Sequence, residues 1–234
     1  MKSRRIAIVG WTLIWGGLFT FGYLGWQLLG TDVLNARVQA EAAVTLDRHL
    51  EVAAEEPVVV EVVEVVEEEA EGEEPSRVEH FQETPPVEGE GFARISVPSV
   101  GLEAVVFEGV SSSTLAKGPG HMPGTPLPGQ PGNSVISGHR TTYGRPFYDF
   151  DLLVAGDRIE VETSIGLHVY EVRESFVVVP TDVWVTDDKA GAWLTLTTCH
   201  PRFSARERLI VTAELVEGPN LEYVQFLDRL PSPA

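Results

Sequence analysis

The 234-residue chain contains one cysteine and two methionines. A lone thiol forms no intramolecular disulfide, so Cys199 is either an inert core residue or a reactive nucleophile. Basic residues are scarce: 17 Lys and Arg stand against 35 Asp and Glu, a formal net charge of −18. That balance excludes the basic stripe a nucleic-acid backbone requires, so no nucleic-acid partner is expected. The acidic residues lack the spaced Asp, Asn and Gly of a calcium loop, and neither a metal nor a cofactor is expected. Long apolar runs are lacking too, with one exception at the N-terminus.

That exception runs from Ile6 to Leu29 without a charged side chain. At about 1.5 Å per residue it crosses a hydrocarbon core of about 30 Å, so residues 6–29 predict one transmembrane helix. Lys2, Arg4 and Arg5 precede it and Asp32 follows it. The positive-inside rule then leaves residues 1–5 in the cytoplasm and the remainder outside, as a single-pass protein of the cell membrane. Ala40-Glu-Ala42 is a passable signal-peptidase site, but the apolar stretch exceeds a signal core of about 7–15 residues, and retention is the reading adopted.

Beyond the span, Leu34, Val38, Ala42, Leu46 and Leu50 recur four apart, which predicts a short amphipathic helix within a solvated juxtamembrane stalk, 30–54. Five such positions establish no heptad repeat. From residue 55 to 90 Glu, Val and Pro dominate, as in Glu61-Val-Val-Glu-Val-Val-Glu. Low-complexity acidity of this kind predicts a disordered spacer, spanning about 30–36 Å as a flexible coil and lifting a domain off the bilayer.

Residues 91–216 suffice for one core-bearing domain. Candidate strands are Phe92–Val97, Glu103–Phe107, Asn133–Ser137, Asp157–Glu162, His168–Val179, Trp193–Thr198 and Glu207–Leu215, with brief helices at Ser112–Lys117 and Phe147–Leu152. Many short strands with non-helical connections predict a mostly β fold, closed or sandwiched. The tail, 217–234, carries Leu221, Tyr223, Val224, Phe226 and Leu227, which suit a short helix packed on the domain.

Strand alternation places Cys199 with Trp193, Thr195 and Thr197, opposite Leu194, Leu196 and Thr198. In the following strand Arg208, Ile210 and Thr212 oppose Leu209, Val211 and Ala213. A hairpin joining the two strands brings Cys199 and Arg208 together, both facing away from the Leu-rich core. Other histidines are poorly placed beside them. His200 points to the opposite face from its neighbour, His121 reads as a loop residue, and His168 reads as a surface or edge residue of an alternating strand.

Thr195-Leu-Thr-Thr-Cys-His-Pro201, with Arg208 directly before Leu-Ile-Val, resembles the catalytic signature of sortases, the membrane-anchored cysteine transpeptidases of Gram-positive bacteria. Gly118-Pro-Gly-His-Met-Pro-Gly-Thr125 and Ile136-Ser-Gly-His-Arg-Thr-Thr-Tyr-Gly144 resemble the block around the sortase histidine, and the motifs are most similar to class E. The resemblance implies an eight-stranded barrel, with Cys199 as nucleophile, His139 as the proton-transferring histidine, and Arg208 as the cation that holds the oxyanion or orients the substrate. It implies cleavage of a Thr-Gly bond in a C-terminal sorting signal, of LAXTG or LPXTG type, through a Cys199 thioester. The partners implied are secreted proteins carrying that signal and an amino group of a peptidoglycan precursor, with Met122, Tyr143, Thr197 and Thr198 against the substrate. Class E sequences usually read Gly-His-Tyr-Pro-Gly-Thr where this chain has Met122, which predicts weaker selection of Ala at the second motif position. A non-catalytic membrane-anchored β ectodomain is the alternative reading of the residues. An L,D-transpeptidase is less suitable, because the chain lacks a Ser-His-Gly-Cys block.

Overall fold

The computed structural model describes residues 2–26, 30–55, 59–65 and 76–229. In chain order the elements are α1 (Lys2–Gly25), α2 (Thr31–Glu55), β1 (Val59–Val65), β2 (Ser76–Gln82), β3 (Gly91–Val97), β4 (Leu102–Glu108), α3 (Ser112–Leu115), β5 (Gly120–His121), β6 (Gly132–Ser137), β7 (Arg158–Thr163), β8 (Gly166–Val178), β9 (Ala192–His200), β10 (Glu207–Glu217) and α4 (Leu221–Arg229). Strands β3 to β10 close into an eight-stranded barrel in the order β10-β8-β7-β3-β4-β5-β6-β9. All seven strand candidates appear, most a residue or two longer. The two-residue β5 has no counterpart among them, because so short a strand carries no alternation to read.

Alternation fills the barrel. Ala93, Ile95 and Val97 of β3 meet Ile136, Leu194, Leu196, Leu209, Val211 and Ala213 in one core, capped by Phe147 and Phe150. The two rings stack 4.0 Å apart beneath the segment that follows β6. The predicted helix over 147–152 is a short 3-10 turn, Phe150–Leu152.

Two expectations for the N-terminal third change. Helix α2 is no solvated stalk: Leu46 is buried against Val105 and Phe107 of β4, flanked by Val38, Ala42, Ala43 and Leu50. The four-residue spacing did mark an apolar stripe, and the barrel wall covers it. Gln39 adds a backbone-like pairing, accepting from Val105 N–H at 2.7 Å and donating to Lys117 O at 2.8 Å. Asp47 pairs with Arg94 of β3.

The expected disordered spacer also differs in its described part. β1 and β2 pair antiparallel, Val59 opposite Gln82 and Val65 opposite Ser76. Valine-rich alternation favours extended pairing, and β2 is held besides by the barrel. His80 stacks on Tyr223 of α4 at 4.0 Å, and Asn220 accepts from Phe81 N–H and donates to Phe81 O. Both α2 and β2 dock on the barrel, on either side of the acidic run. Its residues 56–58 and 66–75, like Met1, residues 27–29 of the expected span and 230–234 of the tail, lie outside the described residues. Among the described residues one helix, Ile6–Gly25, is long and apolar enough to cross a membrane.

Candidate functional site

Three adjoining strand ends build the site. β6 and β9 run parallel with Ser137 beside Thr197, and Gly138 N–H prolongs the ladder by donating to Thr197 O at 3.1 Å. His139 and Cys199 each stand two residues beyond that pair. Parallel partners face the same side, and neighbouring strands lie about 4.8 Å apart. On the other flank of β9, antiparallel β10 sets Arg208 directly opposite Cys199. With Leu194, Leu196, Leu209 and Val211 in the core, the alternate residues Thr197, Cys199, Arg208 and Ile210 belong to the outward face. The free thiol is half-buried.

Local packing fixes the histidine segment. Gly138 lies so close to Phe147 that an added Cβ would sit 2.7 Å from its ring. Phe147 N–H then donates to His139 O at 3.1 Å. Burial lowers the pKa of His139, since desolvation disfavours the imidazolium. The Tyr143 ring lies 5.0 Å from the His139 ring. Arg208 Nη1 donates to the carbonyls of Ala205 and Glu207, each at 3.0 Å, so the β9–β10 turn orients the guanidinium.

The remaining expected substrate contacts divide. Thr197 lies on the Cys199 face, and Tyr143 borders His139. Thr198 is turned away and buried: its hydroxyl donates to Gly138 O at 2.7 Å, tying β9 to the histidine segment. Met122 continues the β5–β6 ladder, donating its N–H to Val135 O at 2.8 Å. His139 follows Val135 by four positions, about 13 Å of extended chain.

Among the other histidines, His121 is a strand residue rather than a loop residue, with Nδ1 2.7 Å from Glu108 Oε2 and Nε2 3.0 Å from Pro126 O. His168, expected at a surface or edge, is 0% exposed, with Nε2 against Thr163 Oγ1 at 3.1 Å. Closed strands leave its side of β8 no solvent, and burial drives its pKa down to about 4.

Sequence reasoning missed Arg140, which is only 2% exposed. Its Nη1 donates to Cys199 O at 3.3 Å and to His200 Nδ1 at 3.0 Å, its Nε donates to Tyr148 O at 3.3 Å, and its Nη2 pairs with Asp151 at 2.8 Å. One guanidinium thus joins the histidine segment to the cysteine strand. Arg202 shares Asp151 at 2.8 Å, and although desolvation would raise that carboxyl, the two arginines hold it below the usual range. Asp149 and Asp151, closely following an arginine in a polar-aromatic segment, were the available signal. Among the described residues no cluster of His, Cys, Asp and Glu is arranged to hold a metal ion.

Comparison with known proteins adds independent support. Sortase SrtE1 of Streptomyces coelicolor is 35% identical over 145 residues, covering 55% of this chain and 41% of that protein. Sortase D of Bacillus subtilis is 27% identical over 192 residues, covering 81% of this chain and 86% of that protein. The chain thus spans less than half of the Streptomyces relative. Among solved structures, sortase E1 from S. coelicolor with a tripeptide in its active site superposes with a TM-score of 0.52 at 34% identity, covering 55% of this chain and 90% of that one. Sortase C of Clostridium perfringens with the C-terminal cell wall sorting motif gives a TM-score of 0.54 at 30% identity, covering 56% and 74%. A sortase domain model matches residues 95–216, from within β3 nearly to the end of β10 and so through every strand end just described; the chain belongs to the sortase family.

Proposed function

We propose that the protein is a membrane-anchored sortase of class E type that transfers secreted proteins to the cell wall. Cys199 Sγ attacks the carbonyl carbon of the Thr-Gly bond of a C-terminal sorting signal. The C–N bond breaks as His139 supplies a proton to the leaving amine, and the acyl group remains on Cys199 as a thioester. An amino group of a peptidoglycan precursor then attacks that thioester, surrendering a proton to His139 and freeing the thiol. Arg208 supplies the positive charge beside the carbonyl oxygen, where it counts most in the two tetrahedral states. Desolvation of His139 favours a neutral imidazole at rest, so the imidazolium that protonates the leaving amine is a minor form.

The observation carrying this reading is the register of three strands that brings His139, Cys199 and Arg208 to one barrel end. The charge-free helix anchors the enzyme, and Lys2, Arg4 and Arg5 against Asp32 support a cytoplasmic N-terminus with the barrel outside. The test is mass spectrometry of the full chain mixed with sorting peptides of LAXTG and LPXTG type. An acyl adduct on the Cys199 peptide, with release of the Gly-terminated fragment, is expected. Cleavage without an adduct, or in Cys199→Ala, refutes the assignment.

A further inference from the structure

The span and the catalytic end are closely joined. Asp32, in the first turn of α2, accepts a hydrogen bond from Gly144 N–H at 2.9 Å and pairs with Arg145 Nε at 3.3 Å. Asn35, one turn on, donates to the carbonyls of Ala116 and Lys117 at 3.0 and 2.8 Å. Gly144 has φ +78, and a Cβ there would collide with Asn35, so the loop is shaped to receive the helix. This is the loop that carries His139. Asp32 follows Gly25, the last of the apolar span, by seven positions, a reach of at most about 25 Å.

The same end carries an unusual surface. Among the described residues, all three non-glycine residues with positive φ lie on the two loops flanking Cys199: Tyr143 and Arg145 at 52° and Phe203 at 65°. Left-handed backbone is disfavoured for such side chains and persists where surroundings or function demand it. Phe203 is 74% exposed at the β9–β10 turn. Arg206 is exposed on the same turn, whereas Arg202 is paired with Asp149 and Asp151 and the half-exposed Arg145 with Asp32.

We propose that the catalytic end of the barrel rests on the outer membrane surface, with Phe203 entering the interface and Arg206 meeting anionic lipid headgroups. The proposal depends on α1 being a membrane span with the barrel outside. An exposed aromatic ring beside a cation suits the boundary between acyl chains and headgroups.

The test uses the full chain with Cys199→Ala, carrying a fluorophore on a new cysteine at Phe203 or at Glu222 of α4, in vesicles of equal parts phosphatidylcholine and phosphatidylglycerol. Position 222 lies beyond the far end of β10, which runs nine residues from Arg208 to Glu217, about 30 Å. Spin-labelled lipids should remove most of the fluorescence at 203 and little at 222. Arg206→Ser, or phosphatidylcholine alone, should restore much of it. Hydrogen exchange of the unsubstituted chain should show slower exchange over 202–206 in vesicles with phosphatidylglycerol than without. Equal quenching at both positions, in protein that survives an alkaline wash of the vesicles, overturns the proposal while leaving the anchor intact. Release by that wash overturns both. Quenching at 203 indifferent to phosphatidylglycerol, together with unchanged exchange, overturns the headgroup contact.

Discussion

Arg140→Ala should separate the two halves of the catalytic end. The guanidinium is buried yet fully engaged, linking Cys199 O and His200 Nδ1 on one strand to Tyr148 O and Asp151 on the histidine segment. Removing one partner of a buried ion pair costs about 3–5 kcal/mol when the other charge stays stranded. Here Asp151 is more than a third exposed and keeps Arg202, so water and a second cation relieve it. The loss then falls to the hydrogen bonds made by the cation, about 2–4 kcal/mol in all. For a domain of this size that lowers Tm by about 5–15 °C. Turnover should fall further than stability explains, because a displacement of about 1 Å between reacting groups costs on the order of 10²-fold. The assay pairs thermal melting with sorting-peptide cleavage well below the melt. Arg140→Lys should recover part of the stability but little turnover, since an ammonium cannot span four acceptors in a plane. Unchanged cleavage by Arg140→Ala at a lowered Tm would refute the positioning argument.

Cys199→Ala should abolish peptide cleavage with Tm changed little, because a small half-buried side chain is lost; retained turnover is the refuting result. Arg208→Ala should reduce kcat/KM by orders of magnitude and Arg206→Ala should leave it nearly intact, since only Arg208 stands opposite Cys199; the reverse pattern in peptide kinetics would displace the assignment by two residues. Stability should fall on acidification: His168 is protonated in the unfolded chain below about pH 6.5 but in the folded barrel only near pH 4, so stability present above pH 6.5 is lost between those values, about 3 kcal/mol in total. Denaturant titrations at pH 7 and pH 4.5 should show that loss, and His168→Gln should flatten it. Met122→Tyr should raise the preference for Leu-Ala-x-Thr-Gly over Leu-Pro-x-Thr-Gly peptides by no more than one net hydrogen bond, about 0.5–1.5 kcal/mol, and an unchanged ratio in competition kinetics would mean that residue 122 does not read the substrate.

Much of the molecule follows from local pattern. Charge-free length defines α1, two-residue alternation defines the long barrel strands, and the same alternation puts Cys199 and Arg208 on the face opposite Leu196 and Leu209. What alternation cannot convey is what lies across from an outward face. Leu46 has the same spacing on a stalk exposed to water as on a helix packed against Val105 and Phe107, so only the barrel wall decided that α2 docks. His168 alternates as an edge residue would, and only closure of the barrel buried it. Arg140 lies 59 residues from Cys199, and its role exists only because β6 and β9 run side by side. Sequence therefore determined periodicity, charge and the identity of the reactive groups, which are properties of neighbours along the chain. The tertiary structure decided burial, pairing and the approach of α2 to the loop that carries His139, because each depends on contacts between segments distant in sequence.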